Sequence, residues 1–490
     1  MAVCSLGAQG KPVTGCGDLR SLTNHELSIA IATALPETQA LPAHCRVVGQ
    51  ILPQVGFEIR MPAEWNGRFL MVGNGGYAGE PTENRGQYAR YLKRGYAVAA
   101  TDTGHSALTE PAGTFALDHQ KLLDWAFRSL HVTAEASKLV LRTYYGAGPA
   151  KSYFEGCSTG GRQGLILAQR FPEDFDGITV GAPVLNWTGT MVRFTQVAKA
   201  LEEAPIATNK MATLAGRIYE TCDAKDGLKD GIIDDPRRCD FQPSRDLPKC
   251  EAGADRADCF TGAQITALEK IYAEVRSQGK RVFPNWPVSA ETTGQNGKSG
   301  WDPWTVHDGG QTSGMMFAEN FFRYVAFPKP DLQYQVDRFD VDKDLGKLET
   351  IHQILDATDT DLTRFQKHGG KMLMYFGWAD PALNPLMGVE YYEAVQARMG
   401  AATTDFFRLF LVPGMFHCGD GPGPNVFETA TPLSEWVEKG TAPAVLQASK
   451  VANGKVVRTR PLCVYPLVAR YKGSGSVDEA ANFSCVKAPE

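Results

Sequence analysis

Several things are missing from this chain of 490 residues. No apolar run approaches the ~18–20 residues that span a bilayer, so no membrane helix is predicted. No block of lysine and arginine stands out and the formal net charge is only −5, so nothing in the sequence points to a nucleic-acid groove or an anionic membrane surface as a partner. No Cys-x-x-Cys pair of the zinc type occurs, and no internal repeat is visible. The first residues, Met1-Ala2-Val3-Cys4, lack the basic start and long apolar stretch of a signal peptide.

Cysteine, by contrast, is plentiful. Eleven residues, at positions 4, 16, 45, 157, 222, 239, 250, 259, 418, 463 and 485, are many for a reducing cytosol. The expectation is five disulfides with one cysteine over, an oxidising compartment (secreted or periplasmic), and a leader already removed. With 43% hydrophobic and 21% charged residues the chain can bury a large core and exceeds the usual size of one domain. Two domains, or one with a long insertion, are expected.

The most informative stretch is Ser152-Tyr-Phe-Glu-Gly-Cys-Ser158-Thr-Gly-Gly-Arg-Gln-Gly, which reads as a strand, a sharp turn and a helix. Gly156 to Gly160 spell G-x-S-x-G, the turn that lifts a serine hydroxyl clear of a sheet and points a helix N-terminus toward it. Earlier, Phe69–Val72 reads as a strand running into Asn74-Gly75-Gly76, where glycines let backbone N–H groups approach a substrate carbonyl; a plain glycine turn fits that stretch equally well. Buried strands are also read in 95–105 and 175–184, with a helix over 118–144 between them, while residues 1–60 read as loop-rich until 47–62. Alternating strands and helices predict a parallel α/β sheet. Between 188 and 364 the texture changes to tryptophans, an acidic loop and polar stretches such as Ser289-Ala-Glu-Thr-Thr-Gly-Gln-Asn-Gly-Lys-Ser-Gly300. This region is read as an inserted lid domain, leaving 1–187 and 365–490 as a discontinuous catalytic domain.

A serine hydroxyl becomes a good nucleophile only when a histidine takes its proton and a carboxylate holds that histidine. Two late segments fit the order serine, acid, histidine: Asp380, after the strand 371–376, and His417, after the strand 406–412. Taken singly, Asp380 before proline also fits an ordinary turn and His417 an ordinary loop. Cys157 precedes Ser158 and Cys418 follows His417, so if serine and histidine meet, the two cysteines stand within reach of a disulfide. Cys157 as nucleophile is disfavoured, since its side chain would point away from the turn. In 222–239, Asp223, Asp226 and Asp230 are interleaved with glycines between two cysteines, a set of hard oxygen donors suited to Ca²⁺ with backbone carbonyls completing the shell; a solvated acidic turn is the alternative.

Together, GCSTGGRQG, GWADP and PGMFHCGDGPGP resemble the tannase/feruloyl esterase family over nearly the whole chain. The resemblance implies an α/β-hydrolase fold with a large lid, Ser158 as nucleophile, Asp380 as acid, His417 as base, and oxyanion donors at Thr159 and at Gly75 or Gly76. It implies a structural calcium held by Asp223, Asp226 and Asp230 with the carbonyls of Leu228 and Ile232. It pairs Cys4 with Cys45, Cys157 with Cys418, Cys222 with Cys239, Cys250 with Cys259 and Cys463 with Cys485, leaving Cys16 unpaired. The function expected is a serine hydrolase for esters of aromatic acids (feruloyl, galloyl or terephthaloyl) whose partner is a small molecule. An acyltransferase with the same triad, or a non-catalytic calcium-stabilised binding protein, are the alternatives. Trp301, Trp304, Phe317, Phe321, Phe322 and Tyr324 are candidates to stack on a substrate ring, though the phenylalanines at helical spacing fit a core better. Arg323 is read as facing solvent rather than a substrate carboxylate.

Overall fold

The computed structural model describes residues 10–81 and 85–488, and the chain forms two compact units: Met1–Gly181 with Asp361–Met372, and Ala182–Thr360 with Leu373–Glu490. The sheet of the first unit contains β1 (Leu27–Leu35), β2 (His44–Ile51), β3 (Val55–Pro62), β4 (Arg68–Val72), β5 (Ala97–Thr101), β6 (Lys151–Cys157) and β7 (Gly177–Gly181), in the order β1-β2-β3-β5-β4-β6-β7. The β1–β2, β2–β3 and β3–β5 pairs are antiparallel, whereas β5, β4, β6 and β7 run parallel. The parallel strands are the short apolar runs. Every residue of β5 and β7 is buried, as a sheet covered on both faces requires.

Residues 119–145 are helical throughout, through a π-turn at Asp124–Arg128 into α1 (Ser129–Tyr145), whose Leu130, Ala134, Val140 and Leu141 are buried. The elbow helix α2 (Thr159–Arg170) follows β6 directly. One element departs from the sequence reading: Leu27–Leu35, expected as loop, is the edge strand β1. Its outward side carries Ala30, Ile31, Thr33 and Ala34, small or apolar residues, so the alternation that marks a half-buried strand is faint.

The second unit includes the helix α3 (Trp187–Glu203), the helix α4 (Ser313–Asn320), the strand β8 (Lys371–Gly377, its first two residues in the first unit), the helix α5 (Pro385–Met399) and the strand β9 (Phe407–Val412). The region between α3 and β8 is mainly helical and has a core of its own, with Leu214, Ile218, Phe260, Leu268 and Trp301 packed together. A mixed sheet with helices following its strands is the α/β-hydrolase architecture anticipated from the sequence.

Disulfides join Cys222 to Cys239, Cys250 to Cys259 and Cys463 to Cys485. The amino-terminal pairing corrects the expectation. Cys45 bonds to Cys16, not to Cys4, and Cys16 is therefore not the unpaired residue. The short helix Cys16–Leu22 packs against β1, beside β2, and sets the two Cα atoms 5.6 Å apart with both side chains buried. Cys4 lies outside the described residues. Cys157 and Cys418 are both disulfide-bonded.

Candidate active site

In the first unit, β6 delivers Ser158 to the turn before α2. Its backbone is at φ 65°, ψ −122°, a region that residues with a Cβ rarely enter, and its N–H donates to Gly181 O at 3.0 Å. The turn is possible because its flanks lack side chains. A Cβ on Gly156 would stand 2.5 Å from the Gly160 carbonyl. Burial of Leu165, Ile166, Leu167 and Ala168 holds α2 against the sheet, so the turn is trapped between two fixed elements.

The turn after β4 is tied to the same helix. The Asn74 N–H donates to Gln163 Oε1 at 3.0 Å, the Gln163 amide donates to Asn74 Oδ1 at 3.3 Å, and the Asn74 amide donates to Thr101 O at 2.8 Å. Thr159 adds a bond from its hydroxyl to Gly76 O at 2.8 Å. The structure therefore brings Thr159 and the Gly75-Gly76 turn together beside Ser158. The Asn74 N–H is engaged by Gln163, which fixes the turn that carries Gly75 and Gly76. The Asn74–Gln163 pair was not anticipated. Its residues are 89 positions apart, and neither stands in a sequence pattern that names the other.

In the second unit, Asp380 and His417 are brought together. Asp380 is 1% exposed; its Oδ1 accepts the N–H groups of Ala382 and Leu383, both at 2.9 Å, and its Oδ2 accepts His417 Nδ1 at 2.8 Å. Since an ionised carboxylate only accepts, Nδ1 carries the hydrogen and the His417 Nε2 keeps a lone pair able to take a proton. The loops that carry the two residues are bonded to each other: Trp378 N–H to Val412 O at 3.0 Å and Ala379 N–H to Met415 O at 3.1 Å. Gly377 allows this approach, because a Cβ there would lie 2.2 Å from Met415 O. The Trp304 ring meets His417 edge-on, with centroids 5.7 Å apart, and stacks on Phe317 at 5.9 Å. Of the other aromatic candidates, Trp301 packs in the core with Leu214, Ile218, Phe260 and Leu268, Phe321 and Phe322 are buried, and Tyr324 is half-buried. Arg323 is held by Tyr334 O at 3.0 Å and lies 3.5 Å from Glu319.

The acidic loop is closed by the Cys222–Cys239 bond. Asp223 accepts the Gly231 N–H, Asp226 the Leu228 N–H, and Asp230 the Ile232 N–H together with Arg460. Burial raises the carboxyls of Asp223 and Asp226 above their usual range, and the neighbouring Asp230 adds to the effect. Asp234, not singled out from the sequence, is half-buried beside Asp226, shares a hydrogen bond with it and is raised well above the usual range, first by desolvation and then by the Asp226 charge. Crowded, desolvated carboxylates are a donor set whose chemistry fits a hard dication. Among the described residues no group of three or more His, Cys, Asp or Glu side chains stands ready to hold a metal, so binding would have to draw these carboxylates inward.

The family model for tannase and feruloyl esterase matches residues 39–486. Mono(2-hydroxyethyl) terephthalate hydrolase of Piscinibacter sakaiensis is 36% identical, over 94% of this chain and 87% of its own. A probable feruloyl esterase of Arthroderma benhamiae is 33% identical, over 87% of this chain and 81% of its own. The crystal structure of feruloyl esterase B from Aspergillus oryzae is similar, with a TM-score of 0.85 and 26% identity, covering 96% of this chain and 99% of that one.

Proposed function

The chain belongs to the tannase and feruloyl esterase family and is a carboxylic-ester hydrolase, and on that premise we propose that it cleaves esters of aromatic acids through an acyl-enzyme on Ser158. The observation that carries the mechanism is the bond from His417 Nδ1 to the buried Asp380, which leaves a basic Nε2. Ser158 Oγ attacks the ester carbonyl as Nε2 takes its proton. The Thr159 N–H and one from Gly75 or Gly76 hold the oxyanion. As the tetrahedral intermediate collapses, the imidazolium gives the proton to the leaving alcohol; His417 then activates water, and the acid is released. A Cys157–Cys418 bond belongs to the same proposal, as a tether between the serine turn and the histidine loop; both cysteines are disulfide-bonded.

Aromatic acyl groups are favoured by the relatives' named substrates and by the Trp304 ring beside His417. The test is a set of initial rates on methyl ferulate, methyl gallate, chlorogenate, mono(2-hydroxyethyl) terephthalate and ethyl acetate. At least one aromatic ester is expected to exceed ethyl acetate in kcat/KM by 10²-fold or more, on the order of the ~3 kcal/mol that ring burial supplies. Equal rates on the aliphatic ester would overturn the aromatic class. A secreted or periplasmic location fits the ten disulfide-bonded cysteines, and among the described residues no helix is long and apolar enough to cross a membrane.

Calcium is proposed as a structural ion, held by Asp223, Asp226 and Asp230 with the carbonyls of Leu228 and Ile232. It would neutralise the crowded carboxylates and fix the loop, and no step of the reaction passes through it. Saturating calcium at a hundredfold excess over its Kd should stabilise the fold by about 2.7 kcal/mol. Thermal unfolding in excess EGTA should therefore begin several degrees lower than in calcium, and calcium but not magnesium should restore it. Identical melting curves would remove calcium from the proposal.

A further inference from the structure

The polar stretch Ser289–Gly300 has no part in the reaction just described, yet it is built into the histidine loop. A Cβ added to Gly294 would stand 2.7 Å from Phe416 Cε2 and 2.9 Å from Asp420 Oδ1; one on Gly300 would stand 2.9 Å from Phe416 Cζ. Phe416, only 5% exposed, immediately precedes His417. On the far side of the histidine, Asp420 Oδ1 accepts the Gln295 N–H at 2.6 Å. The polar stretch therefore grips the loop both before and after His417, at contacts too close to admit even a methyl group.

The root of this stretch is fixed by a buried acid. Glu291 is 1% exposed; its Oε2 accepts the Ser289 N–H at 2.8 Å, its Oε1 accepts the Tyr272 hydroxyl at 2.8 Å, and its carbonyl accepts the Ser299 hydroxyl at 2.7 Å. Ser289 is held at φ 115°, and its hydroxyl reaches Trp378 O at 3.4 Å, two residues before Asp380. A carboxyl group so deeply buried is expensive unless its oxygens are satisfied, and here the groups that satisfy it are those that shape the loop. Five observations thus converge: two glycines under one ring, one bond to Asp420, one buried acid, one strained serine and one contact to the Asp380 turn.

We propose that residues 289–300 form a cradle that sets the position of His417 through Phe416 and Asp420, with Gly294 and Glu291 as its positioning residues. The proposal rests on His417 being the base of the reaction proposed above. A base displaced by about 1 Å loses on the order of 10² in rate, whereas substrate binding, which does not depend on Nε2, is spared.

The sharpest test is Gly294→Ala, whose backbone lies outside the left-handed region, so the methyl group acts only through Phe416 and Asp420. The kcat should fall about 30- to 100-fold, KM should stay within about threefold, and the rate of fluorophosphonate labelling per folded molecule should fall with kcat. Adding Phe416→Leu, which removes the ring that the methyl strikes, should recover about tenfold of the loss relative to Phe416→Leu alone. Glu291→Ala should show the same split between kcat and KM, with Glu291→Gln recovering most of it. Unchanged labelling and turnover in Gly294→Ala would overturn the cradle, as would a loss of kcat that only tracks the loss of folded protein. If the unmodified enzyme is not labelled at Ser158, the reaction assignment fails instead, which separates the two outcomes.

Discussion

Ser158→Ala should lower kcat by about 10⁶-fold, the scale on which removal of a triad serine acts, leaving only what the oxyanion donors and binding supply. The fold should survive, because alanine keeps the Cβ and therefore the backbone situation of the parent at φ 65°. Ser158→Gly sharpens the expectation. It removes the same hydroxyl but also the Cβ that makes this conformation costly, a relief of about 1–3 kcal/mol. The glycine variant should thus be equally inactive and more stable than the parent, as read by thermal unfolding. A folded Ser158→Ala protein that still turns over ester would end the assignment, and a glycine variant less stable than the alanine one would show that the turn is unstrained.

The second large effect is expected at Asp380. In Asp380→Asn the side-chain carbonyl can take the place of Oδ1, which accepts from Ala382 and Leu383, so the amide nitrogen is left where Oδ2 stood, facing His417 Nδ1. Two donors cannot share that bond. The imidazole must then carry its hydrogen on Nε2, where it can no longer accept the serine proton, and kcat should fall by about 10⁴-fold. The melting temperature should move little, since the amide keeps the turn's hydrogen bonds. A loss under tenfold would show that Asp380 is only a turn former, the alternative that the sequence leaves open.

The parts of the site that were legible in the sequence are those with local signatures. The Ser158 turn announces itself through a strand, a G-x-S-x-G step and a helix within twenty residues, and Asp380 and His417 each follow an apolar run. The parts that were not legible depend on residues far apart. Gln163 reaches Asn74, and Gly294 lies under Phe416, over separations that leave no periodicity in either segment. A stretch such as Glu291-Thr-Thr-Gly294 reads as a polar loop because its one important acid is buried by neighbours that the local sequence does not mention. The amino-terminal disulfide failed for a related reason. Cys4 and Cys16 both precede Cys45 at plausible distances, and only the packing of Cys16–Leu22 on β1 selects between them.

The cradle also bears on how such enzymes can be recombined. Residues 289–300 lie within the stretch 188–364 that the sequence reads as an insertion, the natural piece to exchange between relatives when a new substrate range is sought. Yet Gly294, Gln295 and Gly300 close on Phe416 and Asp420, which lie far downstream in the chain. A chimera cut at 188 and 364 would import one half of that joint and keep the other, so positions 416 and 420 have to travel with the donor segment for the exchanged enzyme to keep its turnover.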